Sequence, residues 1–359
     1  VDATSHAGKP RSGRKGRGRG GRGQSDRQPE RKQRPLQPYG ALDLGTNNCR
    51  LLIAQPDRNG FAVVDAFSRI VRLGEGLGHH GRLGDAAMGR TIEALRVCAN
   101  KLKWHKVSRR RLIATEACRM AENGAAFIER VRVETGLDLE IIDRETEARL
   151  AASGAEPLID AAAASALVFD IGGGSTEIMW VERLPGHGFS ILRWTSLPVG
   201  VVTLSERFGG GRDVTDESFH AMSAYVGELL APFVAEVARA KGEAPIPSHL
   251  LGTSGTVTTI AGVHLGLRRY DRSRVDGCWL SNEAAGEVTG RLLAMSFDER
   301  TQNACIGRER ADLVLAGCAI LEEIRLAFPA PRIRVADRGL REGILTQLMK
   351  DDGSYGRQA

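Results

Sequence analysis

The chain has 359 residues, 42% of them hydrophobic and 26% charged, a globular composition that excludes collagen-like, coiled-coil and wholly disordered readings. At ~150 residues per domain, the length predicts two domains. The formal charge is +6, but residues 1–38 hold 11 Lys/Arg against 3 Asp/Glu, which leaves −2 on the remainder. The basic character belongs to a tail and not to the body.

That tail is rich in Gly, Arg, Lys, Gln, Ser and Pro, with almost nothing to bury, and is expected to be disordered. Its run Arg14–Arg22 (RKGRGRGGR) resembles Arg-Gly segments that bind RNA or other polyanions through phosphate charge. A solubilising tail with no dedicated partner is the other reading. No apolar run approaches the ~20 residues needed to span a bilayer, and no apolar stretch follows the N-terminal basic residues as in a secretory signal. The six cysteines form no C-x-x-C pair, so a reducing cytoplasm is expected and a disulfide framework is not. His79-His80 lies among glycines and reads as a solvated loop.

Ordered chain is expected from Tyr39. Ala41–Gly45 reads as a strand entering a tight turn, and Leu51–Ala54 as a second strand. Asp57–Gly60 carries an Asn-Gly hairpin signal, with Phe61–Val64 returning. Met88, Ile92, Leu95 and Leu102 keep helical spacing from about Asp85. Arg111–Thr115 is a strand, Ala125–Glu134 a helix stopped by Gly136, and Leu139–Ile142 another strand. In the second half, Ala166–Asp170 runs into Ile171–Gly174. Thr176–Val181 follows, then a turn at Pro185–Gly188 and a return at Phe189–Leu192. A long helix is expected within 213–240, kinked at Pro232. Helices near 309–328 and 341–349 close the chain.

The two halves repeat. Asp43-Leu-Gly-Thr and Asp170-Ile-Gly-Gly are 127 residues apart, and each joins two strands followed by a hairpin. Phe61 and Phe189 lie 18 and 19 residues after their Asp, and Ser68 and Ser196 lie 25 and 26 after it. Two facing copies would form a cleft lined by backbone N–H groups, suited to phosphate. Gly45, Thr46 and Asn47 supply one turn, and Gly172, Gly173, Gly174, Ser175 and Thr176 the other. An Asp beside a phosphate makes sense if a divalent cation or water lies between. Gly255 and Thr256, in Leu251–Thr256, are a third phosphate-binding candidate. Asp143, Glu145 and Glu147 crowd the junction of the halves, where a carboxylate could take a proton from attacking water. Glu177 follows the second turn and could hold a metal.

Seven segments in this order resemble the exopolyphosphatase/guanosine pentaphosphate phosphohydrolase (Ppx/GppA) family: Ala41–Asn48, Thr115–Asn123, Glu145–Arg149, Val168–Glu177, Ser196–Gly200, Gly252–Thr256 and Gly339–Gly343. The resemblance implies an α/β protein of two actin-like (ribonuclease H-like) domains with an interdomain active site. Residues 39–150 would form domain I and 151–338 domain II. The C-terminal helix of 339–359 would return to domain I. It implies release of a terminal phosphate from inorganic polyphosphate or from guanosine pentaphosphate with Mg²⁺, and a monovalent cation such as K⁺ as a further candidate. Glu147 would be the general base and Arg119 would stand near the phosphates. Asp43, Asp170 and Glu177 would serve metal and water. A homodimer is a candidate assembly, and no membrane partner is expected. Thr46 and Asn48 replace serines common in the family's first loop, which leaves Asn48 without a carried-over role. The sequence has no match to the large C-terminal helical domain of some members, so long-chain processivity is not expected from it. The rival readings are an actin-like kinase or ATPase and a non-catalytic polyanion binder.

Overall fold

The computed structural model describes residues 37–184, 188–242 and 246–356. The basic tail and most of the turn at Pro185–Gly188 lie outside them. The first lobe runs β1 (Tyr39–Leu44), β2 (Asn48–Asp57), β3 (Gly60–Ile70), α1 (Leu77–His80), α2 (Asp85–Trp104), β4 (Arg109–Ala114), α3 (Glu116–Met120), α4 (Gly124–Thr135) and β5 (Glu140–Ile141). Its sheet has the order β3-β2-β1-β4-β5. The meander β1 to β3 is antiparallel, and β4 and β5 continue the sheet in parallel.

The chain then passes through α5 (Arg144–Ala155) into β6 (Ser165–Ile171), β7 (Thr176–Arg183), β8 (Phe189–Leu197), α6 (Val201–Arg207) and α7 (Asp216–Lys241). β9 (Leu250–Thr253), α8 (Gly255–His264), α9 (Arg272–Val275), β10 (Trp279–Ser281), α10 (Asn282–Ala294) and α11 (Phe297–Gln302) come next. α12 (Val314–Ala327), β11 (Arg332–Ala336) and α13 (Leu340–Asp351) complete the chain. The second sheet reads β8-β7-β6-β9-β11-β10. Its first five strands repeat the order of the first sheet, and β10 adds an antiparallel edge.

The repeat holds at the level of single hydrogen-bonded pairs. Asp43 faces Arg50 across β1–β2, and Asp170 faces Glu177 across β6–β7, both members displaced by 127 residues. A register shift falls between Ile53 and Ala54 in one half and between Trp180 and Val181 in the other, again displaced by 127. The one-residue discrepancy at Phe61/Phe189 and Ser68/Ser196 arises in the hairpin loop. Pro56 pairs with Phe61, whereas its counterpart Arg183 pairs with Phe189.

One face of the first sheet is covered by α2 and α4, through Ile92, Leu95, Phe127 and Val131. Its other face receives α13 and α5, through Ile344, Leu345, Met349 and Leu150. α5 also serves the second sheet, because Ala148 and Ala155 pack with Val168 and Met179. It is thus wedged between the sheets, and a boundary at residues 150/151 falls inside this one helix. Asp143 caps it by accepting from the Thr146 N–H at 2.7 Å. The α5–α13 contact is tight at its glycines: a Cβ on Gly343 would sit 1.9 Å from the Leu150 carbonyl oxygen.

α7 runs as one helix through Pro232, so the proline does not break it. Pro232 and Glu228, the residue whose carbonyl it leaves without a donor, are both exposed, so water can take that carbonyl. α7 is the only described helix long and apolar enough to cross a membrane. Its Phe219, Met222, Val226, Phe233 and Val237 are core residues of the second lobe. The pair His79-His80 ends a short helical turn and is exposed. The six cysteines are free thiols.

Candidate active site

The two glycine turns fold alike. Gly45 N–H donates to the Asn48 carbonyl and Gly172 N–H to the Ser175 carbonyl, both at 2.9 Å. In each half the turn's carbonyls are taken by the segment after the third strand. Gly74 N–H donates to Thr46 O at 2.9 Å, and Val202 N–H to Gly173 O at 2.8 Å. None of Thr46, Asn47, Gly173 and Gly174 spends its backbone N–H on a loop or turn bond among the described residues. The turns touch across the lobes: a Cβ at Gly174 would lie 2.7 Å from Thr46 Oγ1. They floor a cleft of about 430 Å³.

Of the residues expected at the site, Asp43, Gly45, Thr46, Asn47, Glu147, Asp170, Gly172, Gly173, Gly174, Ser175, Glu177, Gly255 and Thr256 line this cleft. Thr176 does not. It is fully buried and donates its hydroxyl to the Val199 carbonyl at 2.7 Å. Strand alternation explains this, because the side chain after Ser175 points to the opposite face of β7 from Glu177.

Glu147 lies in the first turn of α5, so the segment read as a strand end and linker is helical. Of the three acidic candidates there, Asp143 is the cap and Glu145 is bound to Arg149 on the surface at 2.7 Å. Only Glu147 faces the cleft. Arg119 does not line the cleft. Its guanidinium donates to the Ile142 carbonyl at 2.6 Å, to Glu147 Oε2 at 3.1 Å and to Glu116. Glu116 also accepts from Arg144 at 2.6 Å. Arg119 therefore orients the carboxylates, and it touches the cleft through Glu147 rather than as part of its lining.

Burial, and then the charge of Glu177, push the Glu147 carboxyl well above its ordinary range, against the pull of Arg119. Burial and the neighbouring Asp170 push Glu177 up to about 7, while a hydrogen bond from Ser196 at 2.8 Å opposes them. Burial takes Asp170 up to about 6 and raises Asp43, in both cases against Arg50. Burial also opposes ionisation of Glu116, but hydrogen bonds from Arg144 and Arg119 outweigh it and hold this carboxyl low.

Four arginines, none of them a candidate from the sequence, complete the lining. Arg50, Arg310, Arg338 and Arg341 line the same cleft. Arg338 is bound to Asp276. Arg310 and Arg341 make no ion pair among the described residues, and burial lowers the pKa of both. A buried guanidinium without a partner is stabilised by an incoming anion. The signal that could have found Arg50 is its place opposite Asp43 across the β1–β2 hairpin, and Arg341 lies within the segment Gly339–Gly343. Arg310 carried no local signal. Ser254, between β9 and α8, has φ 144°, a strained value for a residue with a side chain. It sets the start of α8, with Gly255 and Thr256, at the cleft.

Among the described residues no three His, Cys, Asp or Glu side chains converge as a ready-made metal cage, so Asp43, Asp170 and Glu177 do not form one. The donor chemistry still fits Mg²⁺, which takes one or two carboxylates and completes its shell with water and substrate phosphate. Asp43, Asp170 and Glu177 make no ion pair among the described residues and burial raises the pKa of all three, and the Oδ1 atoms of Asn47 and Asn48 are buried without partners.

Residues 52–352 match the family model for the Ppx/GppA phosphatase family. The chain is 30% identical over 321 residues to exopolyphosphatase 2 of Mycobacterium tuberculosis, covering 86% of this chain and 97% of that protein. It is similar in structure to an exopolyphosphatase from Cytophaga hutchinsonii, with TM-score 0.80, 26% identity and coverage of 88% of this chain and 98% of that one. The Aquifex aeolicus member of the Ppx/GppA family gives TM-score 0.73 at 28% identity, covering 89% of this chain and 99% of that one.

Proposed function

Because the chain belongs to the Ppx/GppA phosphatase family, we propose that it is a phosphoanhydride hydrolase that releases terminal orthophosphate from inorganic polyphosphate. The observation that carries this reading is the position of Glu147. It is buried on the cleft side of α5 and aimed by Arg119, and it shares the cleft with two phosphate-type turns and four arginines. The terminal phosphate would lie against the N–H groups of Thr46, Asn47, Gly173 and Gly174. The α8 N-terminus at Gly255-Thr256 would hold the next phosphate. Arg50, Arg310 and Arg341 neutralise charge along the chain. Glu147 accepts a proton from water aligned for in-line attack, and no covalent phosphoenzyme is formed. Its raised pKa makes it a stronger base than an exposed glutamate.

Asp43, Asp170 and Glu177 would contribute to holding Mg²⁺, which when bound supplies charge neutralisation of the phosphate oxygens. The protein's fixed dipoles and guanidiniums supply positioning, the main requirement of phosphoryl transfer. The free cysteines fit a cytoplasmic enzyme. The test is phosphate release from short polyphosphate, long polyphosphate and guanosine pentaphosphate under one set of conditions, with wild type and Glu147→Gln. Turnover on polyphosphate that falls by about 10²–10⁴ in the variant supports the reading. Wild-type turnover confined to guanosine pentaphosphate would move the assignment to that substrate, and near-normal turnover by Glu147→Gln would remove the base.

A further inference from the structure

At the far end of α2, the first lobe carries a surface that catalysis does not use. A groove there is lined by Asn100, Lys103, Lys106, Arg110, Thr135 and Gly136, over an apolar base of Leu102 and Val107. The basic residues around it divide into two sets. Lys101 and His105 share Asp65, Arg109 is bound to Asp352, and Arg111 to Glu140. Lys103, Lys106 and Arg110 are exposed and make no ion pair among the described residues. Glu134, one residue before Thr135, is occupied by Arg96 and Arg130. The groove lining thus offers three available cations and no carboxylate.

Trp104 stands beside it and is 82% exposed. Asn100, Lys103 and Trp104 occupy i, i+3 and i+4 on α2, so the indole shares a helix face with two groove residues. The other three tryptophans are buried or half-buried. A solvated indole of this kind is costly to keep on a surface and useful where a flat partner stacks on it. Lys106, at the groove edge, has φ 51°, which turns the chain sharply between α2 and β4 and brings Arg110 to the same groove as Lys103.

We infer that the groove at the end of α2, with Lys103, Lys106, Arg110 and Trp104, is a docking surface for single-stranded RNA. Cations spaced along a groove track a phosphate backbone, and an exposed aromatic ring stacks a base. Inorganic polyphosphate matches the charges but has nothing to place on Trp104, and this selects nucleic acid over the enzyme's own substrate class. The chain enters the folded body beside this patch, where Gln37 accepts a hydrogen bond from Ser108. The preceding 36 residues carry 11 Lys/Arg and are chemically suited to the same partner. Binding here would place the hydrolase on RNA without occupying its cleft.

The test uses the full chain and a fluorescent 20-nucleotide RNA without secondary structure. Anisotropy is measured over a salt series for wild type, Trp104→Ala, Trp104→Phe and the triple variant Lys103→Glu/Lys106→Glu/Arg110→Glu. Trp104→Ala is expected to weaken binding about fivefold or more, and Trp104→Phe to restore most of it. The triple variant should lower the slope of log affinity against log salt by about two, at ~0.7 per lost phosphate contact. Hydrolysis in the cleft stays at the wild-type rate in all three variants and serves as the control for folding. RNA binding that is unchanged in both Trp104→Ala and the triple variant would overturn the assignment. It would equally be overturned if the triple variant alone weakened RNA and polyphosphate binding by the same factor, since that marks a general polyanion patch.

Discussion

The Arg119 guanidinium donates to Glu147 Oε2 at 3.1 Å while its other nitrogens are held by Glu116 and the Ile142 carbonyl. Arg119 is the nearest cation favouring ionised Glu147, against burial and Glu177, which raise its pKa. A base with a raised pKa gains activity as pH increases through its titration. Arg119→Met removes the opposing charge, so the acid limb of kcat/KM should move up by about one pH unit, within the range expected for loss of an adjacent opposite charge. Arg119→Lys should recover part of the shift. A pH–rate profile that keeps its limb and merely falls in height would place Arg119 in a purely structural role.

The α5–α13 junction gives a stability prediction. Leu150 carbonyl oxygen would lie 1.9 Å from a Cβ on Gly343, and Gly339 carbonyl oxygen the same distance from a Cβ on Gly154. Both obstacles are backbone, which cannot swing aside. Gly343→Ala should cost about 1–3 kcal/mol, as over-packing does, and appear as a fall of several degrees in Tm. Because α5 also carries Glu147, kcat should fall with it. Gly290→Ala, on α10 with open space around its Cβ position, is the control: it should leave kcat unchanged and raise stability by about 0.4–1 kcal/mol, as Ala does in place of Gly at a compatible site.

Much of this was written in the sequence because the repeat is a backbone feature. Asp43 and Asp170 fall at matched strand ends, and Ser196 reaches Glu177 because the hairpins share a bulge and differ by one loop residue. What was hidden depended on long-range packing. β10 and β11 are three and five residues long, too short for periodicity to separate them from loops. Arg310 reaches the cleft from an irregular segment before α12, where no spacing rule applies. Thr176 was misplaced because a motif names residues in order, whereas a strand sends neighbouring side chains to opposite faces. For Arg119, nothing local in the sequence shows that Glu116 and the Ile142 carbonyl share its guanidinium with Glu147.

Thr46 and Thr176 separate these two roles. Thr46 Oγ1 sits between the turns, and Thr176 Oγ1 is spent on Val199 O in the core. Thr46→Val should raise KM several-fold with little change in Tm. Thr176→Val should lower stability by about 1 kcal/mol, the net worth of one buried hydrogen bond, and leave KM unchanged. Equal effects of the two changes on KM would return Thr176 to the phosphate site.

The acidic floor predicts how metal and pH act together. Folding moves Asp170 from 3.8 to about 6 and Glu177 from 4.5 to about 7. A carboxyl whose pKa is raised binds its proton more tightly folded than unfolded. The stability this contributes is complete below the unfolded values, falls as pH rises from about 4, and is gone once pH has passed the folded values of about 6 and 7. Chelated protein should therefore lose Tm across that window. Mg²⁺ at millimolar concentration should raise Tm more at about pH 8 than at about pH 5, because it takes the place of the departing protons. A Tm increment independent of pH would mean that the cation binds away from Asp43, Asp170 and Glu177.

Away from the α5–α13 junction, Arg72 of the first lobe forms two hydrogen bonds to Asp312 of the second, at 2.8 and 3.1 Å. Gly76 N–H reaches Glu206 of the second lobe at 2.9 Å. Arg72 is held at φ 49°, a left-handed conformation that a side chain disfavours, so its pairing with Asp312 works against backbone strain. Breaking the pair should therefore favour an open arrangement of the lobes. Arg72→Ala is expected to raise KM several-fold and to increase the radius of gyration measured by X-ray scattering without substrate. Because the pair is about one-third exposed on both sides, salt screens it, and the wild type at high ionic strength should move in the same direction. Added substrate should return the variant to the compact form if, as proposed, its phosphates bridge the two turns. Unchanged scattering in Arg72→Ala would show that the glycine turns and α5–α13 hold the lobes closed without it.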